Sequence, residues 1–494
     1  MGSEMCIRDR SCAAKIRDKK AILTERISPA PFSSPVFQPR FPAPNNVTVK
    51  SNLLKRGFLS LLGSQFFGAM NDNILKGILT FMVIDGAWAG ELGKGGQGIV
   101  GIFFTVPFIL LSGYAGQIAD RFSKRKVLIG VKIVEIPVAL LGLAGFWMGN
   151  LWLTLGSLIL LTCQSSFFGP AKYGVIPELV GDGELSRANG TINMMTNVAV
   201  IVGTLAAGFI SDAYSPLDGT APMLWLPGVC MLVVAAMGLA AAISMTRLEA
   251  GDKDLEWDWN PFSTYIESVK EMAKSKLLMV MFAWGYFYLL AGLALFIVPE
   301  YTVVLGVNRT LASVLLGVMG IAIGVGCGVA GFISGKRIET RLIPIGALGL
   351  IVFFALLALV PPTKMPKVPS LSDVALSNVS LFIFGAGFSA GFYIVPLQAL
   401  LQKMSPDDER GRFLGTANAC SFTFLTIAAG LYAVIRNSFG DSPQRIFLIC
   451  SLLMAIGAGY FLWRLRGTGL LIGQGIPADS TLNTPEPGEA KKQS

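Results

Sequence analysis

From Phe58 onward the chain alternates between long apolar runs and short polar breaks, with no residue-by-residue alternation inside the runs. Twelve runs can be counted, at 58–84, 98–119, 127–148, 151–175, 186–211 and 223–245, then at 277–304, 311–334, 343–361, 376–402, 411–436 and 444–466. Each is close to the ~20 residues an α-helix needs to cross a bilayer. A β-barrel is excluded, because its strands alternate in hydrophobicity over about ten residues. The pattern predicts an all-α integral membrane protein with twelve transmembrane helices in two six-helix halves, 58–245 and 277–466. The longest internal polar stretch, 246–276, forms the linker between them.

The flanks differ from the rest. Residues 1–57 carry six prolines between Pro29 and Pro44 and no apolar run, which predicts a disordered arm. The opening decapeptide, Met1–Arg10, is set apart as foreign to the chain's pattern. The tail 467–494 is rich in Gly, Pro, Ser and Thr and is also expected to be disordered. In the linker, Trp257 and Trp259 stand among acids and read as interfacial anchors.

Composition narrows the chemistry. Only 14% of residues are charged, against about 25% in soluble domains. There is no histidine, so His-dependent zinc sites and Ser-His-Asp triads are absent. The seven cysteines show no CxxC spacing, and five lie inside apolar runs as small hydrophobes. The net charge of +9 reflects topology rather than nucleic-acid binding. With a cytoplasmic N-terminus, the loops on that side hold 16 Lys and Arg between Arg121 and Arg412, against 6 in the opposite loops. That bias places both termini in the cytoplasm.

A weak repeat relates the halves. The fourth run closes Phe167-Phe-Gly-Pro-Ala-Lys-Tyr-Gly-Val-Ile-Pro-Glu-Leu179, and the tenth closes Gly391-Phe-Tyr-Ile-Val-Pro-Leu-Gln-Ala-Leu-Leu401. Pro170 corresponds to Pro396, and Asn189 to Asn418. Such halves predict a rocker-switch transporter with its substrate site between them, near the midplane.

Polar residues inside the runs are the candidates for that site. An ionisable group at membrane depth costs at least ~2.5–3.5 kcal/mol on insertion scales and by default faces a cavity or a partner. The first run places Asn71, Asp72, Asn73 and Lys76 well inside an apolar span. Asp72 and Lys76 sit at i,i+4, so they either neutralise each other or form a polar site on the substrate path. Lys132 and Glu135, one turn apart, read as a snorkelling or paired set. Lys172 follows Pro170, with Gln164 two turns earlier; a substrate anion accounts for it, as does a pair with Glu178 or Asp72. Asn189, Asn193 and Asn197 share a helix face and read as interhelical glue. Gly320, Gly324 and Gly328 form a small-xxx-small row that predicts close packing. No Walker motif is present, so ATP is not hydrolysed by this chain and no cofactor is expected.

The break after the second run, Gly116-Gln-Ile-Ala-Asp-Arg-Phe-Ser-Lys-Arg-Lys126, is either a topology determinant or a latch. In the latch, Asp120 pairs across the halves, and Arg121, Lys124 and Arg125 complete the gating set. This loop resembles the signature loop of the major facilitator superfamily. The segments Gln65-Phe-Phe-Gly-Ala-Met-Asn-Asp-Asn73, Pro170-Ala-Lys-Tyr-Gly174, Glu184-Leu-Ser-Arg-Ala-Asn-Gly190 and Val395-Pro-Leu-Gln-Ala-Leu-Leu-Gln402 resemble the bacterial lysophospholipid transporter family, over approximately residues 55–466.

That resemblance implies a secondary transporter of the bacterial inner membrane. It would move lysophosphatidylethanolamine-like lipids from the outer to the inner leaflet, for re-acylation inside. Asp72 and Asn73 match the family's polar pair, Lys172 matches the Pro-Ala-Lys-Tyr-Gly lysine, and Gln398 stands where free-standing members tend to have Asn. With Lys76 they make the expected substrate set: a cation for the phosphate, Asp72 for the ammonium, apolar walls for the acyl chain. Fused relatives carry an acyltransferase with a His-x4-Asp motif. Without histidine this chain is expected to be no enzyme, and a separate acyltransferase is its expected partner. Two other readings compete: an exporter of amphipathic drugs or metabolites, and a non-transporting anchor for a lipid-modifying enzyme.

Overall fold

The computed structural model describes residues 55–180, 185–216, 219–246, 260, 262–334, 337–405, 410–466 and 476–477. The arm up to residue 54, Trp257, Trp259 and most of the tail lie outside the described residues. Twelve long helices follow in order: α1 (Arg56–Ile84), α2 (Gly96–Arg121), α3 (Lys124–Trp147), α4 (Leu151–Leu179), α5 (Leu185–Tyr214), α6 (Leu226–Ile243), α7 (Leu277–Ile297), α8 (Arg309–Ser334), α9 (Leu342–Leu359), α10 (Asn378–Met404), α11 (Arg410–Ile435) and α12 (Ile446–Arg466). Each predicted run falls on one of them. The only strand pairing among the described residues joins Arg337–Ile338 to Ile476–Pro477.

Eleven of these helices are long and apolar enough to cross a membrane. The twelfth, α1, has 29 residues, but Asn71, Asp72, Asn73 and Lys76 lower its hydropathy. The chain is a multi-pass membrane protein. Apolar residues such as Trp147, Leu348, Leu381, Ile456 and Trp463 are exposed on the bundle's outside, as expected of helices apolar on every side.

Local chemistry sets the ends. Asn150 caps α4 by accepting the Leu153 N–H, and Ser377 caps α10 by accepting from Ser380. The seventh run ends earlier than predicted as regular α-helix. Pro299 lacks an N–H, and the chain passes through a 3-10 turn, Val298–Glu300, into a short helix, Tyr301–Leu305. Two further short helices were not predicted: Ser263–Met272 in the linker, and Leu371–Ala375, which opens on a capping box of Ser370 and Asp373.

The basic face, where α1 begins, and the far face, where it ends, differ in how the halves meet. Across the halves α2 packs on α11 and α5 on α8. At the far face Gly95 adopts φ +94°, and a Cβ there would lie 3.0 Å from the Ala433 carbonyl, so glycine suits both backbone and approach. Farther along, Thr105 meets Thr426 at 2.7 Å and the Phe108 ring stacks on Phe422 at 4.6 Å. On α5, Leu205 and Ile201 pack against Gly317 and Gly320 of α8.

Toward the basic face the halves diverge. Asn193 and Asn197 continue the same α5 row yet are exposed, and a Cβ on Gly324 or Gly328 would meet nothing within 4 Å. The expectation of amide glue is therefore corrected at Asn193 and Asn197, and that of close glycine packing at Gly324 and Gly328. The residues lie on the predicted faces, but the partner helix has splayed away. The linker helix Ser263–Met272 bridges this end: Tyr265 hydrogen-bonds Ser112 of α2, and Arg412 of α11 donates to Glu271 at 2.6 Å.

Two outcomes follow. In a cysteine-free background, Asn197→Cys should react with a hydrophilic thiol reagent added to the basic face, while Ser313→Cys, fully buried between α5 and α8, should not. Equal labelling would contradict the splayed arrangement. Within the second half, a Cβ on Gly391 would lie 2.3 Å from the Cys327 nitrogen and the Gly326 carbonyl carbon. Gly391→Ala should cost about 1–3 kcal/mol through overpacking, read as a lower Tm in detergent, whereas Gly324→Ala should leave Tm unchanged.

Candidate functional site

The polar residues of α1 do not act as one group. Asn71 is fully buried and donates to Glu135 of α3 at 2.7 Å, and the other Glu135 oxygen takes Lys132 at 2.6 Å. The Lys132 ammonium lies against Gly68 and over the Phe168 ring. Lys132 and Glu135 are thus paired and buried, a triad that locks α1, α3 and α4 together. Asn73 turns the other way, with its amide on the Ala69 carbonyl of its own helix and its Cβ against Gly203 of α5.

Asp72, one step around α1, faces α4. Ser165 lies 3.0 Å from both carboxylate oxygens. Of the two readings of Asp72 and Lys76, the neutralising i,i+4 pair is not formed; the Lys76 ammonium sits 4.8 Å from the centre of the Phe104 ring on α2. Lys172 is 7% exposed, and its ammonium lies 4.5 Å from the centre of the exposed Tyr173 ring. It has no carboxylate partner among the described residues: Glu178 is taken by Lys124 at 2.5 Å and Asp72 by Ser165. Ser165 and Lys172 share a face of α4, two turns and about 10 Å apart along the axis. Gln398 is half-buried on α10 in the other half, and no hydrogen bond joins it to these residues.

The loop expected to gate works within the first half in this conformation. Lys124 pairs with Glu178 at the end of α4, and Arg125 donates to the Ile243 and Met245 carbonyls at the end of α6. Arg121 is half-buried, and the Asp120 side chain lies outside the described residues.

Among the described residues, the charged contacts between the two six-helix halves lie at the far face, at positions that the sequence puts in loops or at the ends of runs. Arg309, 2% exposed at the start of α8, pairs with Asp85 beyond α1 and donates to the Ser211 and Ser215 carbonyls of the first half. Asp212 of α5 accepts the Arg309 and Thr310 N–H groups at 3.1 and 2.8 Å, capping α8 from across the interface. Burial pushes the Asp85 carboxyl above its ordinary range, and Arg309 opposes that shift. In a second cluster, Glu300 accepts from Arg436 at 2.6 and 2.7 Å, from Tyr432, and from Gln97 of α2.

Twelve membrane helices with cross-half pairs α2–α11 and α5–α8, closed at one face and open at the other, define a transporter architecture. The chain belongs to the Major Facilitator Superfamily, whose profile matches residues 61–430. Within it the chain falls in the lysophospholipid transporter family. It is 30% identical to the lysophospholipid transporter LplT of Photorhabdus laumondii over 84% of this chain and 92% of that protein. It is 28% identical to LplT of Cronobacter sakazakii over 86% of this chain and 100% of that protein. These relatives are named as transporters rather than enzymes.

Solved structures share the fold. A bacterial homolog of the human lysosomal transporter Spinster superposes with a TM-score of 0.61 at 12% identity, covering 83% of this chain and 96% of the other. The nucleoside transporter NupG gives 0.57 at 14% identity, covering 82% and 99%.

Proposed function

We infer that this protein moves lysophospholipids, with lysophosphatidylethanolamine as the reference substrate, from the outer to the inner leaflet of the bacterial cytoplasmic membrane by alternating access. The observation that carries the reading is Lys172, a buried cation without a carboxylate partner, on the same α4 face as the hydroxyl that holds Asp72. An unpaired charge at membrane depth persists where a ligand of opposite charge visits. A phosphate meets that need at Lys172, an amine meets it at Asp72, and the bilayer-facing walls take the acyl chain. The names of the curated relatives support the same substrate class.

The basic face is assigned to the cytoplasm from the Lys and Arg bias of its loops, which makes the described conformation inward-facing. In this reading Arg309 with Asp85 and Asp212, and Gln97 with Glu300, form the outer latch that breaks when the substrate is admitted. Lys124 and Arg125 brace the inner ends of α4 and α6 within the half that rocks. Re-acylation falls to a separate acyltransferase.

The test is uptake of labelled lysophosphatidylethanolamine into spheroplasts, with Asp72→Ala and Lys172→Ala beside the wild-type protein. Both variants should insert normally and lose uptake. Unchanged uptake in both would remove the site, and efflux of amphipathic dyes without lysolipid uptake would point to the exporter reading.

A further inference from the structure

Gln164 precedes Ser165 on α4 and is 6% exposed. Its Nε2 donates to Ser165 Oγ at 3.1 Å, while its Oε1 is buried with no hydrogen-bond partner among the described residues. A buried acceptor left unmade costs about 1–3 kcal/mol, so a water or an ion that reaches it is stabilised there. Ser165, in turn, has one proton to share between two Asp72 oxygens, which leaves most of the carboxylate's acceptor capacity unspent. The other charges within electrostatic reach do not fill it. Lys132 and Glu135 cancel each other, and the Lys76 ammonium lies over Phe104.

We propose that Asp72, Ser165 and Gln164 form a binding site for a monovalent metal cation of the sodium class. All the donors are oxygens, which selects a hard cation over a thiolate- or imidazole-seeking metal. A single carboxylate neutralises a single charge, whereas divalent calcium takes more oxygen ligands with more carboxylates among them. On binding, Ser165 turns its proton away from Asp72, and rotation of the Gln164 amide exchanges Nε2 for Oε1 beside the serine oxygen. Both side chains then present lone pairs to the ion, and the orphaned acceptor is satisfied.

One carboxylate holds one cation at a time. The metal ion and the head-group amine therefore exclude each other at Asp72, and the two fluxes run in opposite directions. This exchange rests on the functional reading above; the metal site does not.

The experiment is binding of radiolabelled sodium to the purified full-length protein in detergent, with choline chloride holding ionic strength constant. One saturable site per chain is expected. It should be lost in Asp72→Asn, weakened roughly tenfold in Gln164→Leu, and displaced by lysophosphatidylethanolamine. Gln164→Glu adds a second carboxylate and should shift preference toward calcium, a gain that a misfolded variant cannot produce. Absence of saturable sodium binding in protein that still takes up lysolipid overturns the site, as does binding unchanged in both Asp72→Asn and Gln164→Leu. A transport rate that follows pH with no sodium bound also overturns it, in favour of a proton. Sodium binding that lysolipid fails to displace overturns the exchange and leaves the metal site standing.

Discussion

Replacing Arg309 with methionine should open the far face. The guanidinium is buried and bonds Asp85 and two carbonyls of the first half, while the Arg309 backbone N–H donates to the capping Asp212 carboxylate. Asp85 keeps 29% and Asp212 21% of its side-chain surface exposed, so removing Arg309 costs about 1–3 kcal/mol, less than the ~3–5 kcal/mol of a fully buried pair. That cost falls on the conformation in which the far ends of α1, α5 and α8 touch. Once they separate, water reaches Asp85 and Asp212. At 1.4 kcal/mol per factor of ten, the balance should move by roughly one to two orders of magnitude toward the far-open form. Ser313→Cys, unreactive in the parent, should then label from the far face. Glu300→Gln should act in the same direction by stranding Arg436. Labelling unchanged by either substitution would show that apolar packing along α2–α11 and α5–α8 holds this face without the ion pairs.

The second large effect is expected at Lys172, where stability and activity should part. Lys172→Met removes a buried cation that has no carboxylate to strand, so Tm should hold or rise. Uptake should collapse, with the substrate's phosphate losing a charge-assisted bond of about 1.5–3 kcal/mol, or roughly 10- to 100-fold in apparent affinity. Lys172→Arg should retain part of it. Lys132→Met is the control with the opposite signature: it strands Glu135 and should lower Tm sharply. A Lys172→Met protein that unfolds with Tm as low as Lys132→Met would mark Lys172 as structural.

The fold was legible because crossing a bilayer demands length and apolarity, both of which can be read along a chain. The polar interior of α1 and Lys172 stood out for the same reason, as exceptions to that demand. Pairing was less legible. Asp72 and Lys76 have the spacing of an ion pair, yet Ser165 and the Phe104 ring take them, and nothing in Gln164-Ser-Ser166 distinguishes the serine that faces Asp72. Helical periodicity placed Asn193, Asn197, Gly324 and Gly328 on the correct faces, but it carries no information on whether the facing helix is near or splayed. The far-face clusters were missed because Asp85, Asp212, Glu300, Arg309 and Arg436 sit at the ends of runs, where a charge ordinarily meets water. Only the folded chain brings residues more than 90 positions apart into one buried network.

The measurement that bears most directly on the site is an experimental density map of the protein with lysophosphatidylethanolamine bound. The head group should lie between α1 and α4, its phosphate against the Lys172 ammonium and its amine at Asp72. A head group seated among residues of the second half, with Lys172 still folded under Tyr173 and Asp72 touched only by Ser165, would contradict that account.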